Sequence, residues 1–164
     1  MKRLWTPWRM PYLRSEDKRS DGCIFCLKLK CSDHEEHILY RGETCYVTLN
    51  RYPYSNGHLM VIPNAHVNSL EDLDESTLSE MMQVVNRCLA ALREVYAPHG
   101  FNVGVNLGKA AGAGIADHVH MHVVPRWTAD TNFMPVVGNT RVIPELLDDA
   151  YACLKPIFVQ RDKN

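Results

Sequence analysis

The chain has 164 residues, and its 18 lysines and arginines against 19 aspartates and glutamates leave a formal net charge of −1. This length suits a single domain that buries about two thirds of the surface of the unfolded chain. The charge excludes the strong field of a dedicated nucleic-acid binder, and the lack of about 18 consecutive apolar residues excludes a typical membrane-spanning helix.

The six cysteines indicate the cellular compartment. They are spread unevenly, at positions 23, 26, 31, 45, 88 and 153, and a chain of this length does not need a disulfide scaffold. The charged N-terminus also lacks the apolar segment that follows it in secretory signals. We therefore expect a reducing, cytoplasmic environment in which Cys23 and Cys26 are available to bind metal.

The order of the chain predicts one domain over residues 1–164. Residues 1–22 are aromatic and basic and then polar, and we interpret them as an N-terminal arm and loop. Residues 23–126 hold the predicted strands and the longest helix, so they form the core. Residues 127–164 are a C-terminal extension with a helix.

Two kinds of periodicity predict the elements of the core. A helical turn runs from Cys23 through Lys30, and apolar residues at three- and four-residue spacing predict one long amphipathic helix from Asp74 or Glu75 to just before Pro98. Alternating or β-branched segments predict five strands, at residues 38–41, 45–49, 58–62, 101–107 and 118–126.

The connections between these elements predict the fold class. Loops between neighbouring strands are too short for parallel crossovers, so we expect an α+β fold with an antiparallel sheet of about five strands. The long helix covers the sheet. A C-terminal helix follows, with Pro144 in its first turn and its end near Phe158.

The last predicted strand carries three histidines in strict alternation, His118, His120 and His122. On a strand the imidazoles share one face, and the intervening apolar residues pack behind them. An imidazole facing a phosphorus atom attacks as a nucleophile, while neighbouring imidazoles donate hydrogen bonds to oxygens that gain charge. His120 has a helper on either side and is the candidate nucleophile.

A loop of small residues at 108–114 leads into the histidine strand. Its glycines and alanines let backbone N–H groups approach an anion closely, as in phosphate-binding loops, and Lys109 adds a positive charge. Plain tight turns have a similar composition. The three imidazoles and Lys109 beside the loop favour phosphate contact over a plain turn more than the loop composition does by itself.

The cysteine pair predicts a metal site. Cys23 and Cys26 place two thiolates at a spacing suited to one zinc ion, and no redox-domain pattern surrounds them. The three histidines are not expected to share one metal, because His118 and His122 lie roughly 13 Å apart on a strand. Further ligands are available just downstream of the pair, at Cys31, His34 and His37.

The segment 118–124 resembles the histidine triad signature, His-φ-His-φ-His-φ-φ, of the HIT superfamily of nucleotide hydrolases and transferases. Similarity to its bacterial diadenosine tetraphosphate phosphorylase-like branch, related to the Fhit diadenosine triphosphate hydrolases, extends over residues 4–9, 49–54, 57–61, 98–102 and 132–135. The resemblance implies a HIT-like fold and an enzyme that cleaves adenine nucleotides or dinucleoside polyphosphates at the α-phosphorus, with phosphate or water as acceptor. A nucleotide-binding sensor or scaffold with little turnover is the alternative.

The resemblance also implies roles for individual residues. His120 would form a covalent nucleotidyl-histidine, and His118 and His122 would orient it and stabilise phosphate oxygens. Nucleotide contacts would come from six residues, Asn50, Gly57, His58, Asn106, Gly112 and Gly114. Many relatives have Gln, Ser or Thr three or four residues before the first triad histidine, where this chain has Gly114 and Ile115. Contacts with phosphate oxygens there would come from backbone N–H groups.

Zinc-containing relatives imply a second way to complete the metal site. A structural zinc would bind four residues, Cys23, Cys26, His66 and His118, and would pin the N-terminal segment against the triad strand. The resemblance implies no organic cofactor. It also implies a homodimer that pairs through the long helix and an adjoining strand, with candidate packing residues Val84, Cys88 and Ala91.

Overall fold

The computed structural model describes residues 22–130 and 145–161. The predicted arm and the similarities at residues 4–9 and 132–135 lie outside the described residues, as does Pro144. The described helices and strands are, in chain order, α1 (Ile24–Lys28), β1 (Ile38–Arg41), β2 (Cys45–Leu49), β3 (Leu59–Pro63), α2 (Glu75–Tyr96), β4 (Gly100–Val105), β5 (Met121–Arg126) and α3 (Leu147–Arg161). Short 3₁₀ turns lie at Leu70–Asp72 and Lys109–Ala111.

The five strands form one antiparallel sheet in the order β1-β2-β3-β5-β4. The last strand of the sequence is therefore inserted between β3 and β4, where it has a partner on both sides. This arrangement confirms the predicted α+β class and the five-stranded antiparallel sheet. It also brings the residues that precede β3 next to the histidines.

The helix α2 begins and ends where the sequence predicts. The Asp74 side chain accepts a hydrogen bond from the Thr77 backbone N–H (2.6 Å), as an N-cap does. The helix stops at Ala97, whose left-handed φ of 43° precedes Pro98. Its apolar side packs on one face of the sheet and includes three residues that are at most 2% exposed, Val84, Cys88 and Ala91. This stripe is part of the chain's own core.

A second apolar cluster covers the opposite face of the sheet. It contains Phe25 from α1 together with side chains of the first three strands, Ile38, Tyr46, Met60 and Ile62. The Tyr46 hydroxyl donates to the Phe25 carbonyl (2.9 Å) and anchors α1. Because both faces are covered, every residue of β2 and β3 is buried.

The strand that carries the histidines is shorter than predicted. It starts at Met121 and not at His118, because the Val119 backbone N–H donates to the Val67 carbonyl (2.7 Å) and not to a neighbouring strand. The alternation nevertheless continues, since Val119 and Val123 belong to the cluster beneath α2. The third strand starts at Leu59, one residue late, and β4 covers 100–105 where 101–107 was predicted.

The helix ends also differ by a few residues. α1 stops at Lys28, short of Lys30, and α3 continues to Arg161, beyond Phe158. Within residues 22–130 and 145–161, no helix is long and apolar enough to cross a bilayer. The single domain over residues 1–164 stays a prediction.

Candidate active site and metal centre

His120 is buried with one ring nitrogen already bonded. It is 5% exposed, and its Nδ1–H donates to the His118 carbonyl (2.9 Å). A carbonyl oxygen can only accept, so the proton of the neutral ring lies on Nδ1 and the lone pair lies on Nε2. Burial lowers the pKa of His120, although the bond to the His118 carbonyl acts in the opposite direction. The ring is thus held in the form that a nucleophile needs.

A second hydrogen-bond chain determines the proton positions at His122. The Tyr54 backbone N–H donates to Nδ1 of the fully buried His58 (3.1 Å). His58 must then carry its proton on Nε2, and it donates to Nδ1 of His122 (2.9 Å). A neutral His122 consequently has an N–H at Nε2, which is a donor. Its ring centroid is 4.9 Å from that of His120.

Both ring nitrogens of His118 have partners within the protein. Its Nε2–H donates to the Pro63 carbonyl (2.9 Å), which leaves the lone pair on Nδ1. That atom lies 3.2 Å from the Cys23 sulfur, 3.6 Å from the Cys26 sulfur and 3.2 Å from Nδ1 of His66. The His118 ring therefore faces the cysteine pair, and its backbone carbonyl faces His120.

The donor atoms of four residues form one cluster, Cys23, Cys26, His66 and His118, and all lie within 4.8 Å of one another. Two thiolates and two imidazoles bound to one tetrahedral zinc would be separated by roughly 3.3 to 3.8 Å, from the usual zinc–ligand distances. Four of the distances within the cluster, each involving a histidine, are 3.2 to 3.6 Å. The lone pair of His118 points into the cluster, so the residues fit zinc.

The alternative ligands downstream of the cysteine pair have other partners. The Cys31 thiol donates to the Leu27 carbonyl (3.5 Å). The His34 ring packs edge-on against Tyr151 of α3 (5.5 Å between centroids). His37 pairs with a carboxylate of the same helix, Asp148 (2.7 Å). The geometry therefore favours His66 and His118 over the local set.

Two of the predicted nucleotide-binding residues, Asn50 and Gly57, lie in the loop before β3 and next to His58. The Asn50 amide nitrogen lies 3.3 Å from Nδ1 of His58, and its Oδ1 accepts from the Tyr52 backbone N–H (2.9 Å). Gly57 has a φ of +67°, and a Cβ there would lie 2.8 Å from the Tyr96 ring. Packing and backbone conformation thus explain Gly57.

The predicted phosphate loop lies at the other end of the site. Asn106 is half-buried, and Gly112 and Gly114 are exposed. Gly112 has a φ of +87°, which favours glycine. The loop ends at Ile115, which packs against the apolar cluster that contains Phe25. This contact brings the end of the loop to the histidine face of the sheet.

Three residues of the site were not predicted from the sequence. Phe25 contacts two triad histidines, and Pro63 supplies the carbonyl that orients His118. The Tyr54 ring centroid lies 4.7 Å from that of His58, with the two rings tilted by 33°. The position of Phe25 between two candidate zinc ligands was a sequence signal that could have identified it. A backbone carbonyl acceptor such as that of Pro63 gives no such signal.

Known proteins share this fold and much of this sequence. The protein is 43% identical over 156 residues to an AP-4-A phosphorylase of Mycobacterium tuberculosis, covering 91% of this chain and 80% of the relative. An asymmetrical bis(5'-nucleosyl)-tetraphosphatase of Schizosaccharomyces pombe is 32% identical over 93 residues, covering 57% of this chain and 50% of the relative.

A solved structure agrees with these sequence matches. A zinc-bound histidine triad family protein from Mycobacterium smegmatis superposes with a TM-score of 0.70 at 29% identity, covering 87% of this chain and 96% of that one. The family model described as the HIT domain matches residues 32–129, more than half of the chain. The chain belongs to the HIT domain family.

Proposed function

We propose that this protein cleaves dinucleoside polyphosphates, of the diadenosine tetraphosphate type, through a covalent nucleotidyl intermediate on His120. The observation that carries the proposal is the buried His120 ring, whose Nδ1–H is held by the His118 carbonyl so that the lone pair lies on Nε2. The name of the 43% identical relative, AP-4-A phosphorylase, supports the substrate class.

The proposed reaction has two displacements at the α-phosphorus. Nε2 of His120 forms a bond to phosphorus, and the phosphorus–oxygen bond to the remaining nucleoside polyphosphate breaks with its electron pair on the leaving oxygen. An oxygen of water or phosphate then attacks phosphorus, and the nitrogen–phosphorus bond breaks with its electron pair returning to Nε2. The acceptor's proton passes to the solvent.

The flanking histidines have different tasks in this proposal. His122 donates from Nε2 to a phosphate oxygen, because His58 occupies its Nδ1. The His118 carbonyl accepts from Nδ1–H of His120 and stabilises the positive charge that the ring gains on attack. In this proposal His118 orients His120 and binds the metal. It does not contact phosphate oxygens, as the resemblance implied, because both of its ring nitrogens have protein partners.

The metal and assembly belong to the same proposal. Zinc bound by Cys23, Cys26, His66 and His118 would have a structural task, holding α1 on the histidine face. The zinc-bound relative and the donor geometry support it.

Six free cysteines support a reducing cytoplasm. A homodimer through the outer strand β4, where Val103 is 43% exposed, completes the proposal.

A product assay on labelled diadenosine tetraphosphate tests the function. We expect His120→Ala to lose at least about 1,000-fold in kcat, since the nucleophile is gone, while His99→Ala, an exposed histidine bonded to Thr128, stays near wild type. ADP formed only with inorganic phosphate indicates a phosphorylase, and AMP formed without phosphate indicates a hydrolase. Full turnover by His120→Ala would contradict the proposal, and tight nucleotide binding by an inactive wild type would favour a sensor.

A further inference from the structure

The ring of Phe25 contacts the rings of His118 and His120. These two residues are joined by the hydrogen bond from Nδ1 of His120 to the His118 carbonyl. The Phe25 ring centroid is 4.9 Å from the His120 ring, tilted by 58°, and 5.5 Å from the His118 ring in an edge-on arrangement. The residue is 1% exposed. It therefore offers almost no surface to a substrate, and its ring lies between its apolar cluster and these two histidine rings.

A single hydrogen bond does not fix the orientation of the His120 ring. The bond from Nδ1 to the His118 carbonyl sets the position of one atom, but the ring can still tilt about that atom while the bond keeps acceptable geometry. On one side the ring meets His122, at 4.9 Å and 72°. Phe25 packs against another side of the His120 ring, so packing restricts the tilt that the hydrogen bond leaves open.

Phe25 is itself held firmly in place. It is the second residue of the five-residue helix α1, and its carbonyl accepts from the Tyr46 hydroxyl of β2 (2.9 Å). Cys23, the N-cap residue of α1, and Cys26 within the helix place their sulfurs 3.2 and 3.6 Å from Nδ1 of His118. The ring is thus attached to the sheet and to the histidine segment independently of any substrate.

We propose that Phe25 is a positioning residue that holds the His120 imidazole in the orientation required for attack on phosphorus. The inference rests on the proposed function. Misplacing a reacting atom by about 1 Å is enough to reduce a rate by about 100-fold. A smaller or more flexible side chain at position 25 lets the His120 ring tilt, and kcat falls while substrate binding is retained.

The test compares Phe25→Leu with Phe158→Leu. Phe158 is also a buried phenylalanine, 2% exposed, but it lies in the other core cluster and stacks on Tyr40. We expect Phe25→Leu to lower kcat for diadenosine tetraphosphate by about 10- to 100-fold with KM within about twofold, and Phe158→Leu to change neither. Phe25→Met serves as a second variant if the first fails to fold.

A spectroscopic measurement separates this inference from the proposed function. Ring-nitrogen NMR of wild type is expected to report one His120 tautomer with the proton on Nδ1, and Phe25→Leu is expected to broaden or shift those signals more than Phe158→Leu does. An inactive wild type with that NMR result would end the proposed function and leave the positioning intact. An active wild type whose kcat and His120 signals respond equally to the two substitutions would overturn the role of Phe25.

Discussion

At the level of single residues, backbone carbonyls determine what two of the triad imidazoles can do, and the His58 side chain determines the third. The Pro63 carbonyl accepts a hydrogen bond from Nε2–H of His118, and the His118 carbonyl accepts one from Nδ1–H of His120. Each carbonyl leaves a lone pair on the opposite nitrogen, pointing at sulfur in one ring and available for attack in the other. Three similar side chains thus acquire different chemistry from their hydrogen-bond partners.

The burial of His120 leads to a prediction about pH. Burial lowers the pKa of His120, so its ring stays neutral at a pH where a free histidine, with a pKa of about 6.5, is half protonated. Activity is lost only when the pH falls through the lowered value and Nε2 gains a proton. We expect the acid limb of kcat/KM below pH 6.5 (about the free value), and an acid limb above that value, matched by NMR titration of His120, would contradict the assignment.

At the level of elements, a carboxylate of α2 holds the turn between β1 and β2. Glu80 accepts from the backbone N–H groups of Glu43 and Thr44 (2.7 Å each) and from the Thr44 hydroxyl. A Cβ at Gly42 would overlap a Glu80 oxygen. These bonds satisfy turn N–H groups that have no strand partner and fix the hairpin relative to the helix.

Removing this carboxylate should destabilise the fold without touching the site. We expect Glu80→Ala to lower the free energy of unfolding by about 2 to 3 kcal/mol, because hydrogen bonds to a charged group are lost together. Gln83→Ala, an exposed position one turn along the same helix, is the control and should change it by less than about 0.5 kcal/mol. Urea denaturation measures both, and equal effects would show that the Glu80 contacts contribute nothing.

At the level of the whole molecule, the metal cluster joins segments that are far apart in the chain. His118 lies 95 residues beyond Cys23, and His66 lies 40 residues beyond Cys26. A zinc ion bound there links α1, the segment after β3 and the triad segment. Metal bound only by the folded chain stabilises it by mass action.

Metal analysis and thermal unfolding test the cluster. We expect about one zinc per chain, lost in Cys23→Ser and Cys26→Ser with a decrease of about 3 kcal/mol or more in the free energy of unfolding at saturating zinc. Cys31→Ser and Cys153→Ser, at exposed positions, should keep both zinc and stability. Purified wild type that is metal-free and equally stable with a chelator would contradict the site.

Short-range patterns predicted most of the elements. The apolar spacing of α2 and its ends at Asp74 and Pro98 depend on contacts within a few residues, so the sequence was enough. The start of β5 depends on a bond between Val119 and Val67, 52 residues apart, and no local pattern reports it. The contact of Phe25 with the triad was also missed, although the position of Phe25 between Cys23 and Cys26 was an available signal.

The sequence by itself determined the α+β class, the long helix and the alternation that separates the three histidines from their apolar neighbours, because periodicity is a local property. Only the tertiary structure decided which nitrogen of each histidine keeps its proton, because the acceptor at Pro63 and the donor at Tyr54 come from other segments. It also brought His66 and His118 to the cysteine pair. The three imidazoles of the triad are distinguished in this way: the buried His120 has its lone pair on Nε2, His122 has a donor at Nε2, and His118 faces the cysteine pair.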